Sequence, residues 1–287
     1  MPKFACSEWL GGIWQVDSTQ PLDLPYPVHQ AHSDIDSLAF RADKEFVLAW
    51  GTTPDEIRQT TGASAEIKLY DHNKPIWCVR VRNVAGTDRV YFSAPRMDTT
   101  LQGVDIYVLK GGVASLYTAI DQTQMTFPHP CDPSQEAYDY QGDFAFGDGD
   151  VLYLSTGNWS GFPIGIYRIS GAGPDTVTGT VERIFLTEGP IENLCFESPH
   201  TLYFMRPPDV WKLDLSTMAE TFVMSIKLPE GRIPLDITLV GEGLPPAWWW
   251  GLVIVWVRAL NNLAAALWRL AVALVRRGAG DGRTRGE

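Results

Sequence analysis

Two stretches set fifty residues apart follow one plan, and this repetition constrains the chain more than any single motif. The first runs Asp143-Phe144-Ala145-Phe146, a turn at Gly147-Asp148-Gly149-Asp150, then Val151-Leu152-Tyr153-Leu154 and, after a gap, Gly165-Ile166-Tyr167-Arg168-Ile169. The second runs Asn193-Leu194-Cys195-Phe196, a turn at Glu197-Ser198-Pro199-His200, Thr201-Leu202-Tyr203-Phe204-Met205, then Val210-Trp211-Lys212-Leu213-Asp214-Leu215. In both, the apolar strand resumes six residues after the Phe. Weaker copies start at Ser37-Leu38-Ala39-Phe40 and around Val90-Tyr91-Phe92 with Val104–Leu109; the first strand of the latter falls within Ile76–Val84, in a register the pattern leaves open.

Alternating apolar and polar positions predict strands with one packed face. Gly, Pro, Asp and Ser between them suit hairpins. A period of 45–50 residues with three or four strands per unit predicts a β-propeller, whose blades bury one another's faces. Four units are visible. Two partial ones flank them: Gly12–Asp17 reads as the third strand of a blade, and Asp236-Ile237-Thr238-Leu239-Val240 as the first strand of a fifth. An N-terminal strand that completes the last blade would close the ring, whereas a fifth unit that breaks off at 243–246 suggests a truncated one.

Residues 142–170 and 191–216 resemble blades of the six-bladed propeller superfamily that includes TolB-like, NHL, YWTD and gluconolactonase-like proteins. The resemblance covers roughly residues 12–240, and it departs from the YWTD pattern at Leu202-Tyr203-Phe204-Met205. It implies an all-β fold of about four to five visible blades, incomplete as a six-bladed ring. It also implies a metal in the central channel, as in the lactonase-like members.

Aligning the units places Ser37, Asp143, Asn193 and Asp236 at one equivalent position, just before the first inner apolar residue. In a propeller these sit at one mouth of the channel. A ring of oxygens could hold a hard cation such as Ca²⁺, or the same side chains could bond nearby backbone and shape turns. The acidic run Asp132, Glu136, Asp139 and Asp143 reads as a solvated loop, with a cation site as the alternative, and Asp148 and Asp150 as turn residues around Gly149. His29 and His32, next to Asp34 and Asp36, have a spacing that could hold a metal on a helix, but Pro25 and Pro27 keep the segment extended. The chain has no G-x-S-x-G elbow and no phosphate-binding P-loop. The four cysteines, Cys6, Cys78, Cys131 and Cys195, are scattered and read as small buried side chains.

Charge and composition divide the chain near Pro246. Residues 1–246 carry 17 Lys and Arg against 32 Asp and Glu, a balance of −15; residues 247–287 carry six Arg against two acids, a balance of +4, and five of the eleven Trp. The acidic body argues against a nucleic-acid partner, which needs a basic face. The tail, with Trp248, Trp249, Trp250, Trp256 and Trp268 in an apolar run, predicts a C-terminal helix with Arg258, Asn262, Arg269 and Arg276 on one stripe. It would span a membrane, lie in the headgroup layer, or pack on the propeller. The expected organisation is a propeller over 1–246 and a hydrophobic, basic tail over 247–287. The expected function is a non-catalytic module that binds protein, peptide or glycan on the propeller face and associates with membrane lipid through the tail. A metal-dependent lactonase or ester hydrolase is the alternative, and a functionless truncated propeller the third reading.

Overall fold

In this computed structural model the described residues are 2–240, apart from 9, 20–24, 32–33, 52–54, 62–64, 97–102, 122–123, 125, 130–131, 139, 158–163 and 188–190. The chain divides into two units, Met1–Leu244 and Pro245–Glu287. The expected C-terminal helix, with Trp248, Trp249, Trp250, Trp256 and Trp268, lies outside the described residues. Among the described residues no helix is long and apolar enough to cross a membrane.

The first unit is all-β. Its strands are β1 (Lys3–Glu8), β2 (Gly12–Asp17), β3 (Tyr26–Gln30), β4 (Ile35–Phe40), β5 (Phe46–Trp50), β6 (Asp55–Thr60), β7 (Glu66–His72), β8 (Cys78–Val84), β9 (Thr87–Pro95), β10 (Gly103–Lys110) and β11 (Val113–Asp121). They continue with β12 (Thr126–His129), β13 (Asp132–Tyr138), β14 (Tyr140–Gly147), β15 (Val151–Gly157), β16 (Ile164–Ser170), β17 (Val181–Thr187), β18 (Glu192–Ser198), β19 (Thr201–Arg206), β20 (Asp209–Asp214), β21 (Ala219–Ser225) and β22 (Pro234–Val240). Five four-stranded antiparallel sheets result: β22-β1-β2-β3 (blade I), β4 to β7 (blade II), β8 to β11 (blade III), β14 to β17 (blade IV) and β18 to β21 (blade V). The innermost strands β22, β4, β8, β14 and β18 neighbour one another in a closed circle.

The propeller has five blades, within the four to five expected, and the resemblance to six-bladed rings does not extend to the blade number. Of the two readings of the partial end units, the closed ring holds and the truncated one is corrected: the fifth unit is completed from the N-terminus. β22 pairs antiparallel with β1, Phe4 opposite Leu239 and Cys6 opposite Ile237, so blade I takes its inner strand from one end of the domain and three strands from the other. Gly12–Asp17 is the third strand of its blade, as its pattern predicts, and Asp236 lies on the first strand of the same blade. A further correction concerns the acidic run: Asp132 and Glu136 lie on β13, which pairs with β12 in a hairpin between blades III and IV.

Each seam between blades has its own apolar cluster, because every sheet has two faces to bury. Ile13 and Ala5 of blade I meet Leu38, Leu48 and Trp50 of blade II. Val47 and Ile57 meet Val79 and Phe92 across the next seam. Tyr91 and Ile106 meet Phe144 and Leu154, and Tyr153 and Ile166 meet Leu194 and Phe204. Met205 and Val210 meet Phe4 and Ile237, which closes the circle. Position by position, the third strands present Ile13, Ile57, Ile106, Ile166 and Val210, all fully buried. Opposite them on the second strands stand Ser7, Ala49, Ser93, Ser155 and Met205. A single radial row is thus repeated five times, which is the structural content of the sequence period.

Candidate functional site at the propeller axis

The innermost member of each radial row is the residue that alignment of the repeats picks out. The structure brings Ser37, Asp143, Asn193 and Asp236 together at the axis and supplies the fifth member, Cys78, which pairs across β8–β9 with Ser93. All five are buried. They form a belt in which each blade bonds the next. The Leu38 amide donates to Asp236 Oδ2 at 2.9 Å, joining blades I and II. Val79 N–H donates to Ser37 Oγ at 3.0 Å, joining II and III. The Cys78 thiol donates to Asp143 Oδ1, joining III and IV. Leu194 N–H donates to Asp143 Oδ2 at 2.6 Å, joining IV and V. Asn193 Nδ2 donates to the Leu235 carbonyl at 2.5 Å and returns to blade I. A backbone amide buried at a blade junction has to find a partner, and a short oxygen-bearing side chain at this position supplies it.

One residue that sequence reasoning missed fills the centre. Arg80 lies on β8, two residues after Cys78, and is buried. Its Nη1 donates to Asp236 Oδ2 at 2.9 Å, to the Leu38 carbonyl at 3.1 Å, to the Val79 carbonyl at 2.8 Å and to Ser37 Oγ at 3.2 Å. Its Nη2 donates to Asp143 Oδ2 and to Asp236 Oδ1, the latter at 3.2 Å. Its Nε donates to the Phe144 carbonyl at 3.1 Å. One guanidinium therefore bonds groups of blades I, II, III and IV. The planar fork of donors suits Arg to this place. A signal was present: the positions equivalent to Arg80 hold Ala39, Ala145, Cys195 and Thr238, so a long cation stands where the other repeats are small.

The carboxylates are saturated. Ile237 N–H donates to Asp236 Oδ1 at 2.7 Å and Ser37 Oγ to Asp236 Oδ2 at 2.6 Å, beyond the Arg80 and Leu38 bonds. Phe144 N–H donates to Asp143 Oδ1 at 2.6 Å. The oxygens that a Ca²⁺ ion would need are committed to a guanidinium and to amides, so the residues present do not fit a resident cation. Among the described residues no group of three or more His, Cys, Asp or Glu side chains is placed to hold a metal ion. Two buried acids share one cation. Burial, opposed by Arg80 and reinforced by Asp236, pushes the Asp143 carboxyl up to about 6. Burial likewise pushes the Cys78 thiol well up, which keeps it protonated and a donor.

Cys78 is the odd member of the belt, and a second lock joins blades III and IV at their other end. Residues of blade III hold the β16–β17 loop: Arg82 Nη1 donates to the Ala172 carbonyl at 2.8 Å, Tyr117 Oη to that of Gly173 at 2.7 Å and Tyr91 Oη to that of Pro174 at 2.8 Å. Arg89 pairs with Asp175 at 2.8 Å. The turn residue Asp150, at φ 59, pairs with Arg82. At the rim of the first seam, His29 Nε2 lies 2.6 Å from Glu66 Oε1, which ties blade I to blade II and accounts for His29 without a metal; His32 lies outside the described residues.

No family model matches the chain, and no curated protein does. Solved structures are similar to it at low identity. The WD40 propeller domain of Doa1 is 14% identical over 76% of this chain and 64% of that one, with a TM-score of 0.38. The chain thus spans less than two thirds of that structure's length. A Bacteroides thetaiotaomicron protein of unknown function is 14% identical over 83% and 66%, with a TM-score of 0.48. A protein assigned as a gluconolactonase is 13% identical over 79% and 91%, with a TM-score of 0.37. The fold class is a five-bladed β-propeller.

Proposed function

We propose that this propeller is a non-catalytic module that binds protein, peptide or glycan on a blade-end face, and that its axis is a structural lock. The observation that carries this reading is the Arg80 guanidinium, which bonds groups of four blades where a cation-dependent hydrolase needs free carboxylates. A face offers itself on the side where the inner strands begin. Leu10 and Ile233 are each 62% exposed there. Their loops are joined by Arg232 Nη1 donating to Glu8 Oε1 at 2.9 Å. Exposed aliphatic side chains on a hydrogen-bonded rim are what a docking partner buries.

The metal-dependent alternative makes a distinct demand on the same residues. Thermal unfolding of the full chain is expected to give the same Tm in millimolar Ca²⁺ and in chelator, because ligand binding to the native state alone would raise it. A Ca²⁺-dependent rise that disappears in Asp143→Asn would overturn the lock and favour the enzyme.

A further inference from the structure

The second position of the radial row carries a pattern that the belt does not explain. Ser7, Ser93 and Ser155 are fully buried, and among the described residues none of their hydroxyl oxygens has a hydrogen-bond partner. They are not scattered. Ser155 is the cross-strand neighbour of Asp143 and Ser93 of Cys78. Ser7 lies between Cys6, which faces Ile237, and Glu8, which faces Pro234, so it stands at the irregularity beside Asp236, as Ser155 does at the one beside Asp143. Cross-strand neighbours share a sheet face, so each hydroxyl lies in the same seam as its blade's axial residue and one strand further out. On its outer side each meets a buried isoleucine: Ile13, Ile106 or Ile166. The two remaining blades have Ala49 and Met205 at this place, with no hydroxyl.

A buried hydroxyl without a partner is destabilising, and three at one repeated position would be a repeated loss. The axial acids cannot satisfy them, since their oxygens are taken by Arg80, Ser37, Cys78 and amides. Apolar buried sites stay dry, whereas polar ones hold ordered water bonded to groups that lack protein partners. We propose that Ser7, Ser93 and Ser155 each hold an ordered water in the seams behind the Asp236, Cys78 and Asp143 positions, forming three internal hydration sites around the ion-paired hub. The blades with Ala49 and Met205 have no such site.

The sign of a stability change separates this from a dry hydroxyl. Removing a hydroxyl that bonds water forfeits those bonds, while removing an unsatisfied one relieves a penalty. Ser7→Ala, Ser93→Ala and Ser155→Ala in the full chain are each expected to lower the Tm by about 2–4 °C. A high-resolution crystal structure of the full chain is expected to show one ordered water within hydrogen-bonding distance of each of the three hydroxyls, and the Ser155→Ala crystal to lack only its own. An unchanged or raised Tm in the three alanine variants, or maps with no water at these oxygens, would overturn the proposal.

Discussion

A chain that lacks residues 1–30 fails to unfold cooperatively, because it never assembles a closed ring. The deletion takes β1, β2 and β3 and leaves β22 as a lone strand. Two seams lose one side: Phe4 and Cys6 leave Met205, Val210 and Ile237 uncovered, and Ala5, Ile13 and Val28 leave Leu38, Leu48 and Trp50 uncovered. Fully burying each large apolar side chain contributes roughly 1.5–3 kcal/mol, so the loss exceeds the 5–15 kcal/mol that typically separates a native domain from its unfolded state. Blades have no stability of their own to fall back on. Circular dichroism against temperature reads the outcome. The full chain gives a sigmoidal transition, and the shortened chain a shallow drift or aggregation. A sigmoidal melt at an unchanged Tm would mean that four blades stand alone and that β1 to β3 are an accessory.

Arg80→Met is the point substitution with the largest expected effect. Methionine keeps much of the length of the side chain but none of its donors. It strands Asp143 and Asp236 in the interior as two unpaired acids. Removing one partner of a buried ion pair costs about 3–5 kcal/mol, which lowers the Tm of a domain this size by roughly 6–20 °C. Arg80→Lys recovers little, because three donors on one nitrogen cannot replace bonds spread over Nε, Nη1 and Nη2. The account also predicts a partial rescue: Asp143→Asn added to Arg80→Met regains stability, since it removes a charge that has lost its counterion. Equal losses in the single and double variants would show that Arg80 acts by filling space.

The blade plan was legible because each unit carries its own short-range signals, alternation in β14, β15, β18 and β19 and tight turns between them. The outer strands were less so. β6 reads Asp-Glu-Ile-Arg-Gln-Thr, with Ile57 its single fully buried apolar residue, so periodicity has little to find there. The blade count stayed open between four and five for a different reason. Pairing of Phe4 with Leu239 joins the two ends of the domain, and local pattern cannot distinguish two broken units from two parts of one. The axial ring was legible as a set of equivalent positions, and Ser37, Asp143, Asn193 and Asp236 do converge. Its chemistry was not, because the fifth member is a cysteine and the cation comes from a neighbouring position on β8. Oxygens in a ring suggest a metal until the guanidinium between them is seen.

The central claim is that Asp143 and Asp236 share one guanidinium inside a closed hub. The carboxyl ¹³C resonance of Asp143, followed against pH in the full chain, tests it most directly. Burial and the nearby Asp236 are predicted to place its midpoint near 6, above the ~3.9 of a solvated Asp. A group whose pKa is raised on folding contributes stability that is present at low pH and is lost as pH rises through the folded value. Asp143 should therefore favour the native state more at pH 5 than at pH 7. Because the guanidinium lowers this midpoint, Arg80→Met is expected to raise it further, and a midpoint that the substitution leaves unmoved would contradict the account.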